Sequence, residues 1–463
     1  MTYDFVILGG GPAGYTAALR AAGLEATVAL VEREQLGGVC LNWGCIPTKT
    51  LLASSKLYEQ MRRAADFGIR CEGMTPDLNY IVARKEKVVA QLRMALQKLL
   101  ITQNIQIFEG VGSLSAPDRV EVQSVKGRQT LQAKRVILAT GSRLTELPGL
   151  ACDGKRILDI RSALSLDWLP QRLLVVGAGA VGCEMAQHFS GLGSLVSIVE
   201  LLDKPLGGML DADLEKMLLR TFKKRKYQLH FGTSIQSIQQ GADSITAIFT
   251  SGERLDVEAV LVATGMAPDS RGLGLEALGV EMTEAGHIKV DEHCRTSVET
   301  VYAVGDVTGI QPLAHFAAHM GSIAVRHAVG EEDASIDIEA VPKVVFIEPE
   351  MAWVGLTEEQ AQKRFDAVKT GSFLVRGLGR ATTENRLDGI VKLVARAKDL
   401  VVVGAHILSH QADALIGEAA LAVARGLTLR DLAETIHPHP AYAEGLMEAA
   451  GAAVGKRLNL EWR

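Results

Sequence analysis

One pattern occurs twice in the chain, and it limits the possible folds more than any other feature. Asp4-Phe-Val-Ile-Leu-Gly-Gly-Gly-Pro-Ala-Gly14 and Arg172-Leu-Leu-Val-Val-Gly-Ala-Gly-Ala-Val-Gly182 each read as a buried strand, a glycine-rich turn and a helix start. Gly9, Gly11 and Gly14 match Gly177, Gly179 and Gly182, and each helix leads to a second apolar strand ending in acid, Glu32 and Glu200. The spacing is conserved between copies: 177 − 9 and 200 − 32 both give 168. A single glycine triplet is weak evidence because turns use glycine freely. Two copies, each between strand and helix and each with a matching terminal acid, predict two Rossmann-like dinucleotide-binding domains.

The residue types fit that chemistry. The first glycine makes the tight turn, the second lets backbone approach a pyrophosphate, and the third lets helix pack on strand. The pyrophosphate then rests on free N–H groups at a helix N-terminus. The acid accepts hydrogen bonds from a ribose diol. Glu200 would repel a 2′-phosphate, and Leu201 and Leu202 offer no arginine to receive one, so the second site reads as NAD rather than NADP. Two such sites in one chain predict electron transfer between two dinucleotides. The strands Val136–Gly141 and Val260–Gly265, each ending in Ala-Thr-Gly, and Val301–Asp306, ending in Gly-Asp, are placed to touch cofactor at Gly141, Gly265 and Asp306.

Composition narrows the partners. Lys plus Arg number 49 against 54 Asp plus Glu, a formal charge of −5, which argues against nucleic acid. No apolar run reaches the roughly 18 residues of a membrane span. Asp4 stands where a signal peptide would be basic. The six cysteines follow no secreted framework, so a cytoplasmic setting is expected. Cys71, Cys152, Cys183 and Cys294 read as small buried apolar residues. No histidine spacing indicates a metal, and none is expected.

Cys40 and Cys45 are the exception, in Gly37-Gly-Val-Cys-Leu-Asn-Trp-Gly-Cys-Ile-Pro-Thr-Lys49. Pro47 suits a first helical turn, which places Cys45 at or just before a helix start, where the dipole favours a thiolate. Cys40 falls in a glycine-rich loop able to fold back. From the residues alone the two are a redox pair, two metal ligands or two unconnected thiols.

These motifs, with Gly182-Cys-Glu184, Gly305-Asp306, Val341-Pro…Pro349-Glu350…Val354-Gly-Leu-Thr-Glu358 and His437-Pro-His-Pro-Ala-Tyr-Ala-Glu444, resemble the flavin-dependent pyridine nucleotide–disulfide oxidoreductases over nearly the whole chain. Within that family they are most similar to the dihydrolipoamide dehydrogenase branch. The resemblance implies an α/β fold with two dinucleotide-binding domains and a C-terminal α+β dimerisation (interface) domain. The expected domains are 1–148 for FAD, 149–266 for NAD, 267–340 as a central segment completing the FAD side, and 341–463 as the interface. It further implies an enzyme oxidising protein-bound dihydrolipoamide with NAD, through a Cys40–Cys45 redox disulfide and FAD. The alternatives are an NADH-dependent reductase of another disulfide, or a redox-sensing flavoprotein.

Roles follow from the same resemblance. Cys40 is the interchange thiol and Cys45 the thiol facing the flavin. Lys49 and Glu184 pair near the flavin ring, and Asp306 holds the ribityl chain. His439, oriented by Glu444, is the acid–base and reaches into the other subunit of a homodimer. The implied partner is a lipoyl-bearing protein of a 2-oxoacid dehydrogenase-type complex. The chain departs from the branch at Ala441, His319, Met266–Asp269 and Ser409–Asp413, and its Leu458–Arg463 end lacks the cysteine pair of mercuric reductases.

Overall fold

The computed structural model describes residues 2–145, 147, 149–241 and 243–455. Pro148, expected to close the first domain, and the tail 458–463 lie outside the described residues. The chain divides into two compact units. The first comprises Met1–Ser54, Gly73–Trp168 and Thr264–Ile336, and the second comprises Ser55–Glu72, Leu169–Ala263 and Asp337–Arg463.

The first unit is built on a sheet in the order Gln106–Glu109, Val28–Glu32, Thr2–Leu8, Gly127–Leu138, Arg119–Ser124, Val111–Ala116. Thr2–Leu8 runs parallel to both neighbours, with Leu8 opposite Val31 on one side and Leu138 on the other. Val6, Ile7 and Leu8 are buried, as expected of a central strand covered on both faces. Val301–Ala303 adds in parallel to Gly127–Leu138, which delivers Gly305 and Asp306 to the same end of the sheet as Gly9. Helix Pro12–Ala22 packs on helix Ala314–Ala328 through small residues; a Cβ on Gly321 would stand 2.3 Å from the Ala13 carbonyl oxygen.

The second unit repeats the arrangement. Its parallel strands run Gln228–Phe231, Leu195–Glu200, Arg172–Val176, Ala259–Val262, with helix Ala180–Leu192 after the central one. Beside it stands a three-stranded antiparallel sheet, Ile235–Gln240, Ile245–Phe249, Arg254–Val257.

A five-stranded antiparallel sheet completes this unit, in the order Lys343–Val345, Glu350–Gly355, Val402–Ser409, Ile390–Arg396, Val368–Leu374. Helices Ala412–Arg425 and Glu444–Val454 supply Leu415, Ile416, Ala419, Leu446, Ala449 and Ala450 to its core. Ile390–Ala395 is buried at every position, including Lys392. The ammonium of Lys392 meets Asp211 at 2.8 Å and Asp213 and Glu358 at 2.7 Å each. These carboxylates hold Lys392 far above its ordinary pKa despite the burial that opposes its charge. Asp211 caps helix Ala212–Lys224 by accepting from the Asp213 N–H, so this cluster ties the second nucleotide fold to the C-terminal sheet.

Two glycines test the packing in opposite directions. Gly321→Ala is expected to cost about 1–3 kcal/mol by overpacking against Ala13. Gly417→Ala, exposed inside helix Ala412–Arg425 with open space at its Cβ, is expected to gain about 0.5–1 kcal/mol. Thermal unfolding midpoints that fail to move in opposite directions would contradict the packing described.

Candidate active site

The two glycine loops are built alike. Gly9 and Gly177 have φ of +103° and +105°, and each donates its N–H to the neighbouring strand, to Val31 and Val199, at 2.8 Å. Gly14 and Gly182 admit no side chain: a Cβ would lie 1.8 Å from the Gly9 oxygen and 2.0 Å from the Gly177 oxygen. Gly11 and Gly179 cap the two helices in extended backbone without a side-chain cap, so first-turn N–H groups are left for a ligand.

The two acids brace these loops, a role that the sequence reading did not foresee. Glu32 accepts from the N–H of Gly10 at 2.7 Å and of Glu34 at 2.8 Å. Glu200 accepts from Ala178 at 2.7 Å and Leu202 at 3.0 Å. A carboxylate has about four lone-pair sites, so each acid keeps capacity for a diol.

Further polar groups and glycines come from the segments that end in Gly141, Gly265 and Asp306. The Thr140 hydroxyl is buried and finds no partner among the described residues. Asp306 accepts from the Ser142 hydroxyl at 2.7 Å, and burial holds its carboxyl above the ordinary range. Gly141 and Gly265 both have positive φ and open space at Cβ. Ser142, just after the Ala-Thr-Gly141 turn, carries no signal of its own in the sequence.

Cys40 and Cys45 form a disulfide with a Cα–Cα distance of 4.6 Å. Cys40 belongs to a short helix, Gly38–Trp43, rather than the loop expected, and Cys45 is the first residue of helix Cys45–Arg62. Gly37 and Gly38 make the sharp entry, with φ of +97° and +58°. The Gly37 N–H donates to the Gly10 carbonyl at 2.8 Å, and a Cβ on Gly38 would come within 2.7 Å of the Gly11 Cα. The disulfide segment is therefore pinned to the first glycine loop. Asn42 holds it from beneath, donating to the Leu36 and Gly38 carbonyls at 3.0 Å each and accepting from Arg93 at 3.3 Å. Arg161 stacks 3.8 Å from the Trp43 ring centroid and grips Glu34 through two nitrogens.

Lys49 lies one turn into the helix begun by Cys45, in the first unit, and Glu184 in helix Ala180–Leu192 of the second. Glu184 is buried and accepts from the Phe346 N–H at 3.0 Å. His439 Nδ1 lies 2.8 Å from Glu444, whose other oxygen accepts from the Ala441 N–H at 2.8 Å. Glu444 is buried while the His439 side chain is 73% exposed, so a fixed carboxylate orients an exposed ring through Nδ1. His437 is satisfied on both nitrogens, by the Thr435 carbonyl and by Glu418.

The remaining cysteines need a correction. Cys183 and Cys294 are buried, and burial pushes both thiols up to about 12, but Cys71 and Cys152 are exposed because they lie in irregular surface segments. Thiol titration of the oxidised protein is expected to show Cys71 and Cys152 reacting at once, Cys183 and Cys294 only on unfolding, and Cys40 and Cys45 only after reduction. Six reactive thiols without reductant would contradict the pairing.

The sequence matches the family described as pyridine nucleotide-disulphide oxidoreductase over residues 3–321, and that family's dimerisation domain over 341–450. A dihydrolipoyl dehydrogenase of Bacillus subtilis is 37% identical over 461 residues, covering 99% of this chain and 97% of the relative. One from Zymomonas mobilis is 36% identical, covering 99% of each. Among solved structures, LpdA of Mycobacterium tuberculosis superposes with a TM-score of 0.91 at 32% identity, over 96% of this chain and 98% of that one. RclA of Escherichia coli, described as an HOCl-induced flavoprotein disulfide reductase and solved as a Cu(II) complex, reaches 0.88 at 26%, over 97% and 99%. With its paired glycine loops and its dimerisation domain, this chain belongs to the pyridine nucleotide–disulfide oxidoreductase family.

Proposed function

We propose that this enzyme oxidises protein-bound dihydrolipoamide to lipoamide and reduces NAD, using FAD and the Cys40–Cys45 disulfide. The observation that carries the proposal is the pinning of that disulfide onto the first glycine loop, through Gly37 N–H to Gly10 oxygen. Full-length identity of 36–37% to dihydrolipoyl dehydrogenases supports the substrate.

The first loop fits FAD. The open helix N-terminus at Gly11 would take the pyrophosphate, Glu32 the adenosine ribose, and Asp306 the ribityl hydroxyls, with the orphaned Thr140 hydroxyl and Gly141 alongside. The second loop would take NAD in the same way through Gly177, Gly179, Gly182 and Glu200, and Gly265 is assigned to nucleotide binding on the family pattern. Bound FAD supplies a two-electron relay between dithiol and nicotinamide.

The chain's own residues perform the thiol chemistry. One substrate sulfur, giving its proton to His439 Nε2, attacks the Cys40 sulfur. The Cys40–Cys45 bond breaks, and its electron pair leaves on Cys45, where the helix start stabilises a thiolate. The second substrate thiol attacks the substrate sulfur bonded to Cys40, its proton passing to the departing Cys40 sulfur. This closes the cyclic disulfide product and releases Cys40, so two electrons have moved from substrate to the cysteine pair. Glu444 holds the His439 ring and balances its charge when protonated. We assign His439 to the Cys40–Cys45 pair of a second copy in a homodimer; its exposure and the matched dimerisation domain support this. Lys49 and Glu184 are assigned to the flavin–nicotinamide boundary on the family pattern. Among the described residues no helix is long and apolar enough to cross a membrane. The lipoyl partner complex and a cytoplasmic location are part of the same proposal.

A second reading, an NADH-dependent reductase of another disulfide, is favoured by the likeness to RclA. Purified protein is expected to reduce NAD with dihydrolipoamide, with kcat/KM for NADP lower by about 100-fold, the ratio that ~2.7 kcal/mol of discrimination gives. His439→Gln should lower turnover by about 10² to 10⁴ while retaining flavin. Equal use of NADP would contradict the role of Glu200. Failure with dihydrolipoamide, together with fast NADH-dependent reduction of another disulfide, would select the second reading.

A further inference from the structure

Helix Ala212–Lys224 carries Lys216, Arg220 and Lys223 at helical spacing on one exposed face. With Lys204 they line a cleft of about 380 Å³ floored by Leu219, in which Glu215 is the only carboxylate. Glu215 pairs with Lys204 at 3.5 Å, while Lys216, Arg220 and Lys223 have no carboxylate within 4.0 Å among the described residues. Some surface cations are paired, as in Arg161–Glu34, Lys363–Glu359 and Arg396–Asp399, and the chain as a whole is negative at −5. On this helix three cations without a carboxylate partner among the described residues stand together on one face.

Its position gives it meaning. Lys204 opens the turn Pro205–Gly208, and within that turn the Leu206 N–H donates to the Ala178 carbonyl at 3.0 Å. Ala178 is the middle residue of Gly177-Ala-Gly179, and its own N–H is held by Glu200. The turn that Lys204 heads at one end of the cleft is therefore joined to the second glycine loop by one hydrogen bond, and cleft and loop lie within the same compact unit. Concentrated like charge beside a site focuses the field and raises the local concentration and on-rate of counter-charged ligand.

We infer that the Lys204–Lys216–Arg220–Lys223 cleft is an electrostatic entry patch for the dinucleotide of the second loop. It draws NADH, with two negative charges, more strongly than NAD, with one. This rests on the nucleotide reading of that loop. The patch acts on association and makes no contact in the seated complex, so it changes how fast nucleotide arrives rather than how long it stays.

Stopped-flow binding of NADH to the oxidised holoenzyme across ionic strength tests this. The wild-type association rate should fall steeply with salt. Lys216→Gln/Arg220→Gln/Lys223→Gln should bind about tenfold more slowly at low salt, converge with wild type at high salt, and keep its dissociation rate. Arg220→Gln alone should fall between. A control removing the same charge elsewhere, Lys126→Gln/Lys369→Gln/Lys398→Gln, should stay within about twofold of wild type. Wild type that binds NADH with a triple variant that matches it overturns the entry patch alone. Wild type that binds no NADH overturns the nucleotide reading and the patch with it. Unchanged NADH association with a salt-sensitive loss toward a dihydrolipoyl carrier protein would assign the cleft to a protein partner and overturn the proposal.

Discussion

A single backbone hydrogen bond, from the Gly37 N–H to the Gly10 carbonyl, fixes where the thiol chemistry meets the nucleotide fold. It requires two consecutive residues at positive φ, which is why glycine stands at both 37 and 38. It also requires that Gly38 carry no side chain, since a Cβ would press on Gly11. The entry of the short helix, the place of Cys40 on it, and the start of the next helix at Cys45 all follow from that turn. The turn and the placement of the disulfide meet in the same few atoms, because the glycine loop holds the disulfide segment by its Gly10 carbonyl.

The duplicated fold uses its acids in the same way twice. Glu32 accepts from the N–H groups of Gly10 and Glu34, and Glu200 from those of Ala178 and Leu202, so each acid links its glycine loop to the residue two positions after itself. Charge-assisted hydrogen bonds of this kind are the stronger class, so each loop is preorganised before any ligand arrives. The copies differ in what surrounds them. The first is joined to the disulfide segment through the Gly37 N–H. The second is followed by a turn bearing Lys204 and by a cationic helix.

The sequence made the nucleotide folds legible because buried parallel strands and glycine turns repeat at a fixed offset. It also signalled the helix start at Cys45, because Pro47 is acceptable only in a first turn. In the interface sheet, Lys343–Val345, Ile390–Arg396 and Val402–Ser409 carry adjacent aliphatic residues, whereas Val368–Leu374 interrupts its apolar positions with Lys369, Thr370, Gly371 and Ser372 and does not read as a strand. Lys392 was illegible for a different reason. A lysine in an apolar strand reads as an interruption until three carboxylates, two of them distant in sequence, are seen to surround it. Cys40 was read as loop because two glycines precede it, yet those glycines initiate a helix. Asn42, Arg93, Arg161 and Glu34, which hold the disulfide segment, share no motif and meet only in the folded chain.

The central claim is that the Cys40–Cys45 disulfide is the obligatory carrier of the two electrons taken from the substrate. Anaerobic addition of one equivalent of dihydrolipoamide per chain to the holoenzyme, followed by alkylation and mass mapping of each cysteine before and after NAD is added, tests it most directly. The account predicts that Cys40 and Cys45 become alkylated on reduction, that NAD then restores the disulfide, and that about one NADH forms per chain. NADH formed while Cys40 and Cys45 stay protected from alkylation throughout, or formed at the wild-type rate by Cys45→Ser, would contradict it.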